Sequence, residues 1–294
     1  MSGERFLADM PGTILLTGAS GFTGQHLTRL AWERGYEVLE LRSDLSDTNG
    51  IAGELSAVGF DYVVHLAAIS AVTHTDLQAF YTVNLFGTLN LLEGIANSSS
   101  NQARVLIASS ANVYGNCTRS PIDESVCPQP LNHYAASKLA MEHLSAAHYG
   151  HLSLMMVRPF NYTGVGHDSR FVIPKLVDHF VRRESSIDLG NMAVEREFND
   201  VRTVCRVYLD LLEQGAVGEN YNFCSGRTQS LGSVLEVLTR ITGHRINART
   251  NPEFVRENEL NRLCGNPAKL EACVGPLQHP PLEETLEWML RAGN

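Results

Sequence analysis

A chain of 294 residues, 44% of them hydrophobic, is long enough to bury a full core and suits one large or two modest domains. Its formal net charge of -9 argues against general nucleic-acid binding, which calls for a basic face. It has no run of about 18 apolar residues, and Met1 to Pro11 is too polar for a signal peptide, so the expectation is a cytoplasmic protein with no membrane partner.

In chain order, apolar runs alternate with helical patterns. Thr13–Thr17 reads as a strand, followed by a helix to about residue 34 and strands at 38–41 and 62–66. A helix is expected over 76–95, a strand at 105–108, a helix over 134–149 and a strand at 152–157. Strands without strict alternation, separated by helices, imply a parallel sheet covered on both faces, so the expected fold is α/β, doubly wound and Rossmann-like. After Arg158-Pro159 the rhythm changes to Gly- and Pro-containing loops with a helix near 173–183, which predicts a smaller second region. The six cysteines (Cys117, Cys127, Cys205, Cys224, Cys264, Cys273) show no C-x-x-C pair and no metal-ligand spacing, which points to reduced, packed thiols and no metal site.

Thr17-Gly18-Ala19-Ser20-Gly21-Phe22-Thr23-Gly24 follows the first strand and opens a helix. Glycines there permit a tight turn and the close approach of a pyrophosphate, whose charge suits the helix N-terminus. Further on, Tyr134 and Lys138 stand one helical turn apart and so on one face. An ammonium near a phenol favours the phenolate, so the spacing predicts a tyrosine that exchanges its proton more readily than free tyrosine, which titrates at about 10.

The spacing G-x-x-G-x-x-G, taken with Y-x-x-x-K, resembles the short-chain dehydrogenase/reductases, specifically their extended branch of epimerases and dehydratases. The resemblance implies that Gly18, Gly21, Phe22 and Gly24 cradle a dinucleotide, that Asp44 and Leu45 contact adenine, and that Leu66, Ala67 and Ala68 form a turn under the cofactor. Arg42, at the end of the second strand, favours NADP(H) over NAD(H), although Glu40 on the same strand could hold the ribose of NAD. His65 reads as a packed histidine rather than an acid. Ser109-Ser110-Ala111-Asn112-Val113-Tyr114-Gly115 resembles the family's S-x-x-V-Y-G segment, which makes Ser110, Tyr134 and Lys138 the catalytic group. The lysine then also holds the nicotinamide ribose. Sugar-nucleotide dehydratases carry Asp-Glu where this chain has Ala111-Asn112, so elimination chemistry is disfavoured and C4 reduction or epimerisation remains.

Arg158-Pro159-Phe160-Asn161 and Arg196-Glu197-Phe198 resemble segments whose Asn161 and Arg196 equivalents meet a substrate diphosphate; Thr203 stands where the family usually has aspartate. Arg256 and Glu259, ahead of Leu263-Cys264-Gly265-Asn266-Pro267, resemble the ribose- and diphosphate-binding pair of GDP-mannose-processing members, with Asn266 in place of an aspartate. Within the branch, the chain is most similar to the reductases of GDP-4-keto-6-deoxymannose. The expected organisation is a dinucleotide-binding domain of residues 1–161 with a return segment near 197–224, and a nucleotide-sugar-binding domain of 162–196 and 225–294. The expected substrate is a GDP-linked 4-keto-6-deoxy sugar. A 4-epimerase with tightly bound NAD and a non-catalytic nicotinamide-binding regulator are the alternatives. Apolar residues on more than one face of the helices at 76–95 and 134–149 predict a homodimer, as in extended enzymes.

Overall fold

The computed structural model describes residues 11–71, 74–254 and 261–293. In chain order the first half runs β1 (Thr13–Thr17), α1 (Phe22–Glu33), β2 (Glu37–Glu40), α2 (Thr48–Ser56), β3 (Tyr62–His65), α3 (Leu77–Ala79), a π-helical segment (Phe80–Gly87), α4 (Thr88–Ala96), β4 (Arg104–Ala108), a 3-10 turn (Ala111–Tyr114), α5 (His133–Tyr149) and β5 (Ser153–Pro159). The second half runs β6 (Tyr162–Thr163), α6 (Val172–Val181), β7 (Ser186–Leu189), β8 (Glu195–Arg196), β9 (Asn199–Asp200), α7 (Val201–Gln214), β10 (Asn220–Phe223), β11 (Gln229–Ser230), α8 (Leu231–Thr242), β12 (Asn247–Thr250), β13 (Arg262–Leu263), α9 (Ala268–Val274) and α10 (Leu282–Ala292).

The six-stranded sheet has the order β10-β5-β4-β3-β1-β2, and its pairs β1–β2, β1–β3, β3–β4 and β4–β5 are parallel. The expected doubly wound α/β fold is therefore observed. The register pairs Thr17 with His65, His65 with Ile107 and Ala108 with Val157. The turn after β1, the Leu66–Ala68 turn after β3 and Ser109-Ser110 after β4 thus share the carboxyl edge of one sheet, where ligands bind in open α/β folds. One core packs β1, β3, β4 and β5 residues such as Leu15, Val63, Ile107 and Met156 against Ile51 and Leu55 of α2, Leu91 and Leu92 of α4 and Met141 of α5.

Two compact units emerge: residues 1–113, 130–158 and 205–221, and residues 114–129, 159–204 and 222–294. The segment 114–129 therefore groups with the second unit, whereas a boundary at 161 put it in the first. Its local ties explain this: Ile122 N–H donates to the Cys264 carbonyl at 2.8 Å, and Glu124 accepts from Asn222 N–H at 2.7 Å. The second unit has its own core, in which Ile173, Val177 and Phe180 of α6 meet Val234 and Leu238 of α8 and Leu286 and Met289 of α10.

Two elements depart from the sequence reading. Helix α2 was not anticipated, because Gly50 and Gly53 lower its helix propensity; the Asp47 carboxylate accepting from Gly50 N–H at 2.9 Å supplies the start signal. The helix expected over 76–95 is present, but eight residues of it, Phe80–Gly87, take the wider π register. Leu77 and Phe86 of this stretch are 49% and 56% exposed, while Phe80, Leu85 and Leu92 are buried in their own unit. All six cysteines are free thiols, and among the described residues no helix is long and apolar enough to cross a membrane.

Candidate active site

The glycine turn is shaped by what it packs against. Gly18 has φ +72°, and a Cβ there would stand 2.8 Å from the Ala67 amide nitrogen; a Cβ on Gly24 would run into the Gly18 carbonyl oxygen. Both positions therefore require glycine. This brings the Leu66-Ala67-Ala68 turn directly over the turn that carries Gly21 and Phe22, and α1 starts at Gly21 with no side-chain cap. The residues fit a dinucleotide's pyrophosphate. A groove of about 840 Å³ is lined by Ala19, Ser20, Gln25, Glu40, Arg42 and Glu54, among others. Glu54 accepts from the N–H groups of Arg42 and Ser43, each at 2.9 Å, and from Ser43 Oγ at 2.7 Å, so the loop that presents the exposed Arg42 is fixed at its backbone. Asp44 folds onto Ser46, accepting from its N–H at 2.8 Å and its hydroxyl at 2.7 Å, which holds the Asp44 carboxyl below its ordinary range. Leu45 follows it and packs against the core.

Ser110, Tyr134 and Lys138 come together in the first unit at 5%, 8% and 3% exposure. Helix α5 begins one residue before Tyr134 because Asn132 caps it, its side-chain oxygen accepting from Ala135 N–H at 2.8 Å. Burial pushes the Tyr134 phenol above its ordinary pKa, and a hydrogen bond with Ser110 pulls the other way. Lys138 does not take the phenol-lowering part that the spacing suggested: its Nζ donates to the Ala108 carbonyl at 2.7 Å. Burial brings the lysine down to about 8, with the Glu142 carboxylate holding it up. Desolvation therefore dominates both groups. At neutral pH this leaves a protonated phenol and an ammonium, the state suited to giving a proton to a substrate oxygen.

Residues that the sequence reading passed over hold this group in place. Glu142, one further turn along α5, is buried and pairs with Arg158 from β5, whose Nε donates at 2.9 and 3.2 Å and whose Nη2 donates at 2.5 Å. Asn84 lies fully buried in the π-helical segment; it accepts from Ile69 N–H at 2.8 Å and donates to the Ile69 carbonyl and to Ser137 Oγ, each at 3.1 Å. An asparagine inside the apolar run 83–86 was the available signal. His65 is packed, as expected. Its Nδ1 lies 2.6 Å from Thr17 Oγ1 and its Nε2 lies 2.8 Å from Thr88 Oγ1, while burial first and Lys138 second hold it at about 3, hence neutral.

In the second unit, the exposed Asn161 offers its carbonyl to Asn199 N–H at 2.9 Å, and Arg196 donates to the Glu195 carbonyl at 2.9 Å. Glu197, next to Arg196, is buried. It accepts from Ser225 N–H at 2.6 Å, Gly265 N–H at 2.7 Å, Ser225 Oγ at 3.0 Å and Asn199 Nδ2 at 3.2 Å, and desolvation still raises its pKa. Thr203, in the usual place of an aspartate, is buried and donates to the Gln278 carbonyl at 3.4 Å. Arg256 and Glu259 lie outside the described residues.

Comparison with known proteins identifies the chain's relatives. The chain is 34% identical over 267 residues to the GDP-6-deoxy-D-talose 4-dehydrogenase of Aggregatibacter actinomycetemcomitans, covering 89% of this chain and 91% of that one. It is 32% identical over 297 residues to the GDP-6-deoxy-D-mannose reductase of Pseudomonas aeruginosa, covering 96% and 97%. Among solved structures, that of RMD from Pseudomonas aeruginosa complexed with NADPH superposes with a TM-score of 0.87 at 30% identity, covering 96% and 98%. Residues 14–224 match the NAD dependent epimerase/dehydratase family, which is most of the chain, so the chain belongs to that family, the extended short-chain dehydrogenase/reductases.

Proposed function

We propose that this protein is a C4 reductase that converts a GDP-4-keto-6-deoxyhexose to a GDP-6-deoxyhexose with NADPH. The observation that carries the reading is the buried, protonated Tyr134 held by Ser110, followed by Ala111 and Asn112, which provide no acid and base for eliminating water. When bound, the nicotinamide would supply a hydride to the carbonyl carbon. Tyr134 gives its proton to the carbonyl oxygen, Ser110 hydrogen-bonds the phenol and the phenolate that it leaves, and Lys138 holds the ribose. The C=O double bond thereby becomes an alcohol. Gly18, Gly21, Phe22, Gly24, Asp44, Leu45 and the Leu66–Ala68 turn take the rest of the dinucleotide, with Arg42 on the 2'-phosphate. Asn161, Arg196, Arg256 and Glu259 are assigned to the GDP-sugar, and both curated relatives carry names for GDP-linked 6-deoxyhexoses.

The first unit is thus the dinucleotide-binding part and the second the nucleotide-sugar part. Six free thiols suit the reducing cytoplasm, and the exposed Leu77 and Phe86 support a homodimer built on the helices at 77–96 and 133–149. One observation favours a second reading, a 4-epimerase holding NAD: Glu40 lies in the same groove as Arg42 and could take a ribose hydroxyl.

The test supplies purified protein and NADPH with freshly generated GDP-4-keto-6-deoxymannose. Stoichiometric NADPH oxidation with formation of a GDP-6-deoxyhexose is expected. No NADPH consumption, together with 4-epimerisation of a nucleotide-sugar by protein that carries NAD, would overturn the reductase in favour of the epimerase.

A further inference from the structure

Ser110 Oγ accepts two hydrogen bonds from one residue: the backbone N–H and the Nδ2 amide of Asn112 both donate to it, each at 3.2 Å. The 3-10 turn of Ala111–Tyr114 makes this possible by curling residue 112 back over residue 110. A serine hydroxyl has two acceptor lone pairs and one proton. With both lone pairs taken, the proton is the hydrogen-bonding capacity left, and the phenol of Tyr134 is its neighbour.

We propose that Asn112 is a positioning residue for proton transfer: by occupying both lone pairs of Ser110 Oγ, it turns the serine proton onto the phenolic oxygen of Tyr134 and leaves the phenol's own proton facing outward to the substrate. The orientation of the hydroxyl belongs to the free protein; only its use on a carbonyl substrate rests on the reductase reading. Only the amide gives the hydroxyl this orientation. A carboxylate at this position, as in the dehydratase pattern, can only accept. It would draw the serine proton to itself and leave the phenol without a donor. Alanine would keep the backbone N–H but open one lone pair, allowing Ser110 to turn and accept the phenolic proton instead.

The titratable groups around the phenol do not give this polarity. Lys138, one turn along α5, is committed to the Ala108 carbonyl, and Glu142 beyond it to Arg158. His65 of β3 is neutral and held between Thr17 and Thr88. From the π-helical segment the neighbour is the Phe80 ring, 6.1 Å from that of Tyr134, with His74 on Phe80 at 5.7 Å.

The test reads the ring carbon bonded to the phenolic oxygen of Tyr134 by NMR in the full chain labelled with 13C-tyrosine, at neutral pH and without ligands, assigned by its loss in Tyr134→Phe. This resonance moves one way when the phenol oxygen accepts a hydrogen bond and the other way when its O–H donates. In Asn112→Asp the serine proton goes to the carboxylate and the lone pair freed by the lost Nδ2 donor faces the phenol, so the resonance is expected to move to the donating side, and Asn112→Asp should add nothing in the Ser110→Ala background. Should Asn112→Asp not fold, Asn112→Ala is expected to move the resonance toward the donating side. Movement undiminished in the Ser110→Ala background, or no movement in either variant, overturns the proposal. With substrate, Asn112→Ala should lower kcat about tenfold at an unchanged KM for the cofactor, a part of the roughly 10²–10⁴-fold that a positioned acid contributes. If the parent enzyme turns over no GDP-linked ketone, the proposed function falls, and the NMR comparison still decides the role of Asn112.

Discussion

At the scale of single residues, the two groups of the Y-x-x-x-K pair face different neighbours. Tyr134 is a buried phenol kept protonated by desolvation and relieved by Ser110; Lys138 is a buried ammonium satisfied by a backbone carbonyl. Tyr134→Phe should therefore abolish turnover while leaving cofactor affinity nearly unchanged, because it removes the proton donor and little volume; steady-state rates and cofactor titration together check it. Arg42 makes a separate prediction. Its backbone is pinned by Glu54 while its side chain is exposed, so Arg42→Asp should reverse the ratio of kcat/KM for NADPH over NADH without disturbing the fold. A parent enzyme that already prefers NADH would make Arg42 a surface charge and strengthen the epimerase reading.

At the scale of elements, α5 carries Tyr134, Lys138 and Glu142 at successive turns, and its start is set by Asn132. Asn132→Ala should cost about 1 kcal/mol in urea unfolding, the usual effect of losing an N-cap, and should lower kcat as well because Tyr134 sits in the first turn. Glu142 has a larger and different effect. Lys138 titrates at about 8 when folded, against 10.5 ordinarily. Below about 8 both folded and unfolded chains hold this proton; between about 8 and 10.5 the unfolded chain alone holds it, so this lysine's contribution to stability rises with pH through that window. Its positive charge is lost over the same window, so cofactor affinity is expected to fall above about pH 8. Because Glu142 holds the lysine up, Glu142→Gln should move that alkaline limb to lower pH. It should also destabilise by about 3–5 kcal/mol, since Arg158 is left as a buried charge without its carboxylate. The glycine turn and the Y-x-x-x-K pair were legible in the sequence because each is a local pattern on one element. The Glu142–Arg158 pair was not, because two residues 16 apart meet only once α5 is packed on β5. The π register was equally hidden: the apolar spacing of 76–95 fits an ordinary helix, and the wider turn over Phe80–Gly87 appears only in the folded chain, where it carries the buried Asn84.

At the scale of the whole molecule, each unit has its own core, and the doubly wound order of the first was readable from alternating apolar runs and helical patterns. The second unit was read only as a change of rhythm, because it is assembled from three separated stretches whose short strands have two to four residues each. Phe86, in the stretch expected to associate, is more exposed than Leu77. Light scattering at micromolar concentration is expected to give a dimer mass, and Phe86→Glu to shift it toward the monomer; a parent monomer would count against the homodimer. The last consequence concerns Glu197. One carboxylate gathers the amides of residues 225 and 265 and the side chain of 199, stretches that the chain reaches at very different times. Those loops therefore behave as a single cassette: grafting the 262–267 loop from a relative to change sugar preference would strand the carboxylate unless residue 197 and the 225 turn travelled with it, so in this unit the smallest exchangeable part is the set.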